Sequence, residues 1–231
     1  MDGQRTERRR RNSLRLKGFD YSQPGEYFIT ICTADRLCIL GEIVGASMQL
    51  SEPGKLVELC WRKIPDHFPT TRVDVFQIMP NHIHGITQIK EKTRMGEVSS
   101  PVRVTPPMMD LPGKGDGTSP PRDVRLRDIV AYFKFQATKQ MNEMTGTPGR
   151  RVFQRSYYDH IIRDDVDHFF VERYIELNPI MWQLDVNNPQ GQNMSIEQIT
   201  RLLREEHGFD DDMVERLLER KGIIQSAIHS L

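Results

Sequence analysis

With 231 residues, 37% of them hydrophobic and 28% charged, the chain can build one good core with appendages and has the balance of a soluble, rather polar globular protein. No stretch approaches the roughly 18 apolar residues needed to cross a bilayer, and Cys32, Cys38 and Cys60 are odd in number and lack CxxC spacing, which fits a reducing cytoplasm better than a disulfide framework and makes a poor zinc site. Thirty-two basic residues balance 32 acidic ones, so bulk charge gives no hint of a polyanionic partner.

The distribution of charge says more. Residues 4–17 carry Arg5, Arg8, Arg9, Arg10, Arg11, Arg15 and Lys17 against one Glu7. No apolar run follows, so this is not a secretory signal. It is expected to be a flexible basic arm (1–17) that could follow phosphates. Residues 27–33 are rich in β-branched and aromatic side chains and predict a strand, and 38–43 and 48–50 predict short strands after turns. Helical spacing covers 54–64. Residues 73–79 and 82–89 predict a strand pair or one long interrupted strand, with Pro80 restricting it to an edge or a bulge. The stretch 91–124, full of turn formers and without periodicity, predicts a long mobile insertion loop. An amphipathic helix is expected at 126–141, with Lys134 and Lys139 off its apolar stripe. Strand is expected at 152–154 and 157–162. Asp164 is placed to cap a helix over 165–178 that Pro179 stops. Two further helical stretches, 195–206 and 210–221, form an acidic C-terminal extension that could pack back on the domain, mediate dimer contact or cover a site.

Chemistry enters at His82-Ile83-His84. In a strand, residues i and i+2 share a face with Cα atoms roughly 6.5–7 Å apart, so two imidazoles can converge on one metal ion while Ile83 turns into a core. One such pair by itself more often lies on a solvated strand. On the helix before Pro179, Tyr174 and Asn178 stand one turn apart on one face. An amide oxygen added to two imidazoles suits Mg²⁺ or Mn²⁺ better than a closed structural zinc site. A tyrosine, weakly nucleophilic at its ordinary pKa of about 10, could then attack a phosphate whose charge the ion neutralises.

The run Met79-Pro80-Asn81-His82-Ile83-His84-Gly85-Ile86 resembles the metal-binding motif of IS200-like Y1 transposases, which are HUH single-strand nucleases. Further segments resemble the branch of REP-associated tyrosine transposases. They are residues 15–21, the 27–33 strand, 41–43, the 126–134 helix, 153–160, and Tyr174-Ile175-Glu176-Leu177-Asn178-Pro179. They match in order over about residues 12–90 and 125–184. Insertion-sequence relatives usually have Gln where this chain has Asn178; the REP-associated branch tends to have Asn-Pro.

The resemblance implies an α+β domain (18–184) with a ferredoxin-like antiparallel sheet and helices packed on it, plus a small helical extension (185–231). It implies His82, His84 and Asn178 as ligands of Mg²⁺ or Mn²⁺ and Tyr174 as nucleophile, with Tyr157 and Tyr158 as alternative nucleophiles. Asp159 and His160 could help shape the site. The expected activity is site-specific endonuclease and strand transfer, as in DNA transposition or a domesticated form of it. The substrate would be single-stranded or hairpin DNA of palindromic repeats, and the intermediate a 5′-phosphotyrosine. Arg8, Arg9, Arg10, Arg11, Arg15, Lys17, Lys134 and Lys139 are candidate phosphate contacts. A bacterial cytoplasm, beside the nucleoid, is the expected location, with no membrane partner; monomer and homodimer stay open. The alternatives are a hairpin-binding protein without turnover and a metal-dependent nuclease that uses water.

Overall fold

The computed structural model describes residues 19–91, 123–185, 188–189 and 195–220. In chain order they form β1 (Gly25–Cys32), a hairpin of β2 (Gly41–Val44) and β3 (Ser47–Leu50), α1 (Glu52–Arg62), the single turn α2 (Ile64–His67), β4 (Thr71–Met79) and β5 (His82–Ile89). After the 92–122 segment, which lies outside the described residues, come α3 (Leu126–Thr145), β6 (Tyr158–Ile162), α4 (Asp165–Leu177), a 3₁₀ segment Ile180–Leu184, α5 (Ile196–Glu205) and α6 (Asp211–Arg220).

β4, β5, β1 and β6 pair in that order, every neighbour antiparallel. With α1 between β1 and β4 and α3 between β5 and β6, this is the βαββαβ order of a ferredoxin-like α+β sheet, as expected. Pro80 sits in the turn between β4 and β5 rather than within a strand, and β4 is an edge with a register shift between Val73 and Phe76. The 152–154 stretch makes only one bridge, Phe153 to Thr33. The helix foreseen at 54–64 starts two residues earlier because Ser51 caps it, its side chain accepting from the Gly54 N–H.

The alternation of strand residues splits the interior into two cores. Tyr27, Ile29, Ile31 and Ile83 face α1 and α3, among Trp61, Ile129 and Phe133. Phe28, Ile86 and Ile162 face α4, among Val171, Ile175, Ile199, Leu203, Val214 and Leu217. The C-terminal hairpin α5–α6 therefore shares a core with α4 and is not a detached extension. Asp164 caps α4 as expected, accepting from the Asp167 N–H.

Gly85 belongs to the first core. A Cβ there would lie 2.5 Å from Trp61 Cζ2 and 3.2 Å from Phe76 Cβ. The Trp61 ring cannot retreat, being packed edge-on against Phe133 at 5.3 Å and beside Phe76 at 6.0 Å. Gly85→Ala is therefore expected to cost about 1–3 kcal/mol by overpacking, read as a lowered midpoint in urea denaturation. An unchanged midpoint would mean that α1 does not press on β5 as described.

Candidate active site

The turn that launches β5 is tied to the rest of the chain by its own backbone. The Asn81 carbonyl accepts from the Thr33 N–H at 2.9 Å and from Thr33 Oγ1 at 3.0 Å, and the Pro80 carbonyl accepts from the Leu40 N–H at 3.0 Å. The Asn81 side chain then sets the chemistry. Its Nδ2 donates to the Arg36 carbonyl at 3.1 Å, so its Oδ1 is the atom facing His82 Nδ1 at 2.8 Å. An amide oxygen only accepts. His82 Nδ1 therefore carries the proton, and in the neutral ring Nε2 carries a lone pair.

His84 lies on the same face, its Nδ1 2.9 Å from Thr30 Oγ1. The two Nε2 atoms are 3.0 Å apart, and the rings are 1% and 4% exposed. A hydroxyl both donates and accepts. If Thr30 donates, His84 can hydrogen-bond to His82 through Nε2–H. If Thr30 accepts, both Nε2 lone pairs face one point, an arrangement that repels unless a cation sits there. Two nitrogens about 2.1 Å from one ion are about 3.0 Å apart at a right angle, so the donor pair fits a divalent ion of octahedral preference. Among the described residues, no three His, Cys, Asp and Glu side chains gather into a complete ligand set.

Tyr174 comes to this pair from α4. Its ring, 7% exposed, meets His84 at 5.3 Å and Phe28 at 5.9 Å between centroids. Phe28 in turn stacks on His84 at 5.5 Å. A cavity of about 1030 Å³ opens here, walled by Phe28, Thr30, His82, His84 and Tyr174, with Tyr158 and His160 on β6 and Arg216 and Glu219 on α6. Asn178, one turn beyond Tyr174, is fully buried, donates from Nδ2 to the Tyr174 carbonyl at 2.6 Å, and does not line the cavity. The residue that does is Asp185, whose Oδ2 is 3.9 Å from His82 Nε2. Thr30, Asn81 and Asp185 were missed from the sequence; the one signal for Asp185 is a lone charge in the mostly apolar stretch 180–186.

The two alternative tyrosines separate by strand parity. Tyr158 stands opposite Thr30 and lines the cavity. Tyr157 packs on the far core beneath Lys134, whose Nζ is 5.4 Å from its ring centre. His160 faces the cavity and shares a 2.7 Å contact with Asp167, whereas Asp159 stands opposite Ile29, on the other face. Lys134 is committed elsewhere than DNA. Its ammonium donates to the carbonyls of Gln154 and Ser156 at 3.0 Å each and of Arg155 at 3.4 Å. Burial pulls its pKa down to about 8, and the three carbonyls work against that by favouring the charged form. Lys139 is exposed, on a helix across the sheet from the cavity. Arg8, Arg9, Arg10, Arg11, Arg15 and Lys17 lie outside the described residues. No described helix is long and apolar enough to cross a membrane.

No family model matches the chain. An uncharacterized protein of Haemophilus influenzae is 39% identical over 175 residues, which are 76% of this chain and 91% of that one. Among solved structures, the chain is similar to a REP-associated tyrosine transposase bound to a REP hairpin. That likeness has 18% identity and a TM-score of 0.41, over 71% of this chain and 72% of the other. It is also similar to a candidate transposase of Deinococcus radiodurans, at 15% identity and a TM-score of 0.38, over 70% and 96% of the two chains.

The helix that carries Tyr174 is pinned to the sheet at its other end. His168 Nδ1 meets Glu26 Oε2 on β1 at 2.7 Å. Burial disfavours the imidazolium, but the Glu26 hydrogen bond and charge, with Asp74 and Glu172, outweigh it and raise the pKa. A raised folded-state pKa stabilises fully below the unfolded value of about 6.5 and is lost as pH rises through the folded value. His168→Gln is expected to cost about 1 kcal/mol near pH 5.5, shrinking towards pH 9. Urea denaturation of both proteins across that range checks it; a difference independent of pH would overturn the ion pair.

Proposed function

The chain belongs to the same family as that Haemophilus influenzae protein, and we propose that it is a metal-dependent single-stranded DNA endonuclease and strand transferase of the REP-associated tyrosine transposase kind. The observation that carries this is the placement of the Tyr174 ring against His84, whose Nε2 lies 3.0 Å from that of His82, in one cavity. The ordered run of motifs from Met79-Pro80-Asn81-His82-Ile83-His84 to Tyr174-Ile175-Glu176-Leu177-Asn178-Pro179 supports the same reading.

His82 and His84 would hold Mg²⁺ or Mn²⁺; the third position, which the resemblance gives to Asn178, would need its amide, here bonded to the Tyr174 carbonyl and off the cavity wall, to turn towards the ion. When bound, that ion supplies neutralisation of the charge that grows on the phosphoryl oxygens. Asn81 keeps His82 in the tautomer with a lone pair on Nε2, and Thr30, by accepting from His84 Nδ1–H, would let His84 offer the second lone pair. Tyr174 Oη bonds to phosphorus as the bond from phosphorus to the 3′-oxygen breaks. The phenolic proton leaves Oη, the departing oxygen gains one, and a 5′-phosphotyrosine and a 3′-hydroxyl result. Because the ester keeps the bond energy, a strand's 3′-hydroxyl can reverse the step and join DNA without a nucleotide cofactor. The substrate is a hairpin with a single-stranded flank, and Tyr158 and Phe170 offer aromatic surface for unstacked bases.

The test is to incubate the protein with a hairpin oligonucleotide and Mn²⁺, denature, and look for a covalent protein–DNA band. The band is expected with the wild type, to drop at least about a hundredfold in Tyr174→Phe, and to persist in Tyr158→Phe. Cleavage without any band would sink the tyrosine mechanism in favour of water, and a band surviving Tyr174→Phe would move the nucleophile to Tyr158.

A further inference from the structure

The proposed ligands share one property: all are neutral. Two imidazoles and an amide bring no negative charge to a divalent ion, yet Mg²⁺ and Mn²⁺ sites are usually built around at least one carboxylate. The chain places one beside them. Asp185 is 7% exposed, lines the same cavity, and holds its Oδ2 3.9 Å from His82 Nε2.

Its position is built. The 3₁₀ segment after Pro179 ends at Asp185, whose N–H donates to the Trp182 carbonyl at 3.0 Å and whose carbonyl accepts from the Asn188 N–H at 2.8 Å. The Trp182 ring, 4% exposed, rests 6.0 Å from the His82 ring. The segment that aims Asp185 therefore leans on the histidine it faces.

We propose that Asp185 is the anionic member of the metal site, its carboxylate reaching the water shell of an ion held by His82 and His84. The step rests on the metal reading above. It accounts for why Asp185 stands too far back to close a three-residue ligand set with the histidines, since ions of this kind keep several of their waters.

Binding of Mn²⁺ alone, without DNA, tests it. The spin-resonance signal of free Mn²⁺ disappears as the ion binds, so titration gives the affinity directly. Asp185→Asn is expected to weaken binding by about 10- to 100-fold while spin-echo modulation from histidine nitrogens persists. Asp185→Glu, which keeps the charge, is expected to stay within about tenfold of wild type. His84→Ala should lose both binding and the nitrogen signal. Wild-type affinity in Asp185→Asn, together with loss in His84→Ala, overturns the role of Asp185 and leaves the histidine site standing. Loss of the nitrogen signal in Asp185→Asn, or equal weakening in Asp185→Glu, makes Asp185 a packing residue only and also overturns the proposal. No binding by the wild type fails the metal reading itself.

Discussion

The antiparallel register between β1 and β5 is the constraint on which the site depends. It sets His84 opposite Thr30 and His82 opposite Cys32. Strand side chains alternate, so a slip of one residue would send both imidazoles into the α1–α3 core and bring Ile83 under α4. Two features hold the register. Ile29, Ile31 and Ile83 are 1% exposed or less, which makes the slip expensive. The β4–β5 turn is fastened to the residues just after β1 through Thr33 and Leu40. The same fastening delivers Arg36 to Asn81, and Asn81 to His82 Nδ1. Fold and tautomer are thus set by one turn.

The other half of the site is held by packing. α4 lies between the sheet and the α5–α6 hairpin, and its apolar face merges with Ile199, Leu203, Val214 and Leu217. Hydrophobic contact is non-directional, so it alone would leave the helix free to slide. The His168–Glu26 pair and the His160–Asp167 pair, both 2.7 Å, add direction at the end of α4 away from Tyr174. The hairpin does more than support. It sends Arg216 over the Phe170 ring at 4.5 Å and contributes Arg216, Leu217 and Glu219 to the cavity wall.

Much of this is legible in the sequence, and the part that is not has a physical reason. The strands, α3, α4 with its Asp164 cap, and the inward turn of Ile83 follow from local periodicity and capping, which depend on neighbours a few residues away. Tyr157 and Tyr158 could not be ranked by spacing, because which parity faces α4 depends on pairing with a strand more than 120 positions earlier. Lys134 reads as a solvated residue off the apolar stripe, but the loop 154–156 turns three carbonyls onto it. Thr30, Asn81 and Asp185 are ordinary residues in sequence. Each acquires a role only when the fold brings it within hydrogen-bond or ionic distance of an imidazole.

Charge in the cavity links these arrangements to function. Asp164, Asp167, Asp185 and Glu219 line it against one arginine, Arg216. Two like unit charges 4 Å apart near a protein surface repel by about 4 kcal/mol, so a phosphodiester approaching Asp185 unaided would be turned away. Under the proposed function a divalent ion between the histidines would reverse the sign locally, attracting the phosphate and facing the carboxylate together. The carboxylates would then make entry of a phosphodiester conditional on the ion, and Tyr174, packed against both Phe28 and His84, would meet a phosphate only where that condition holds.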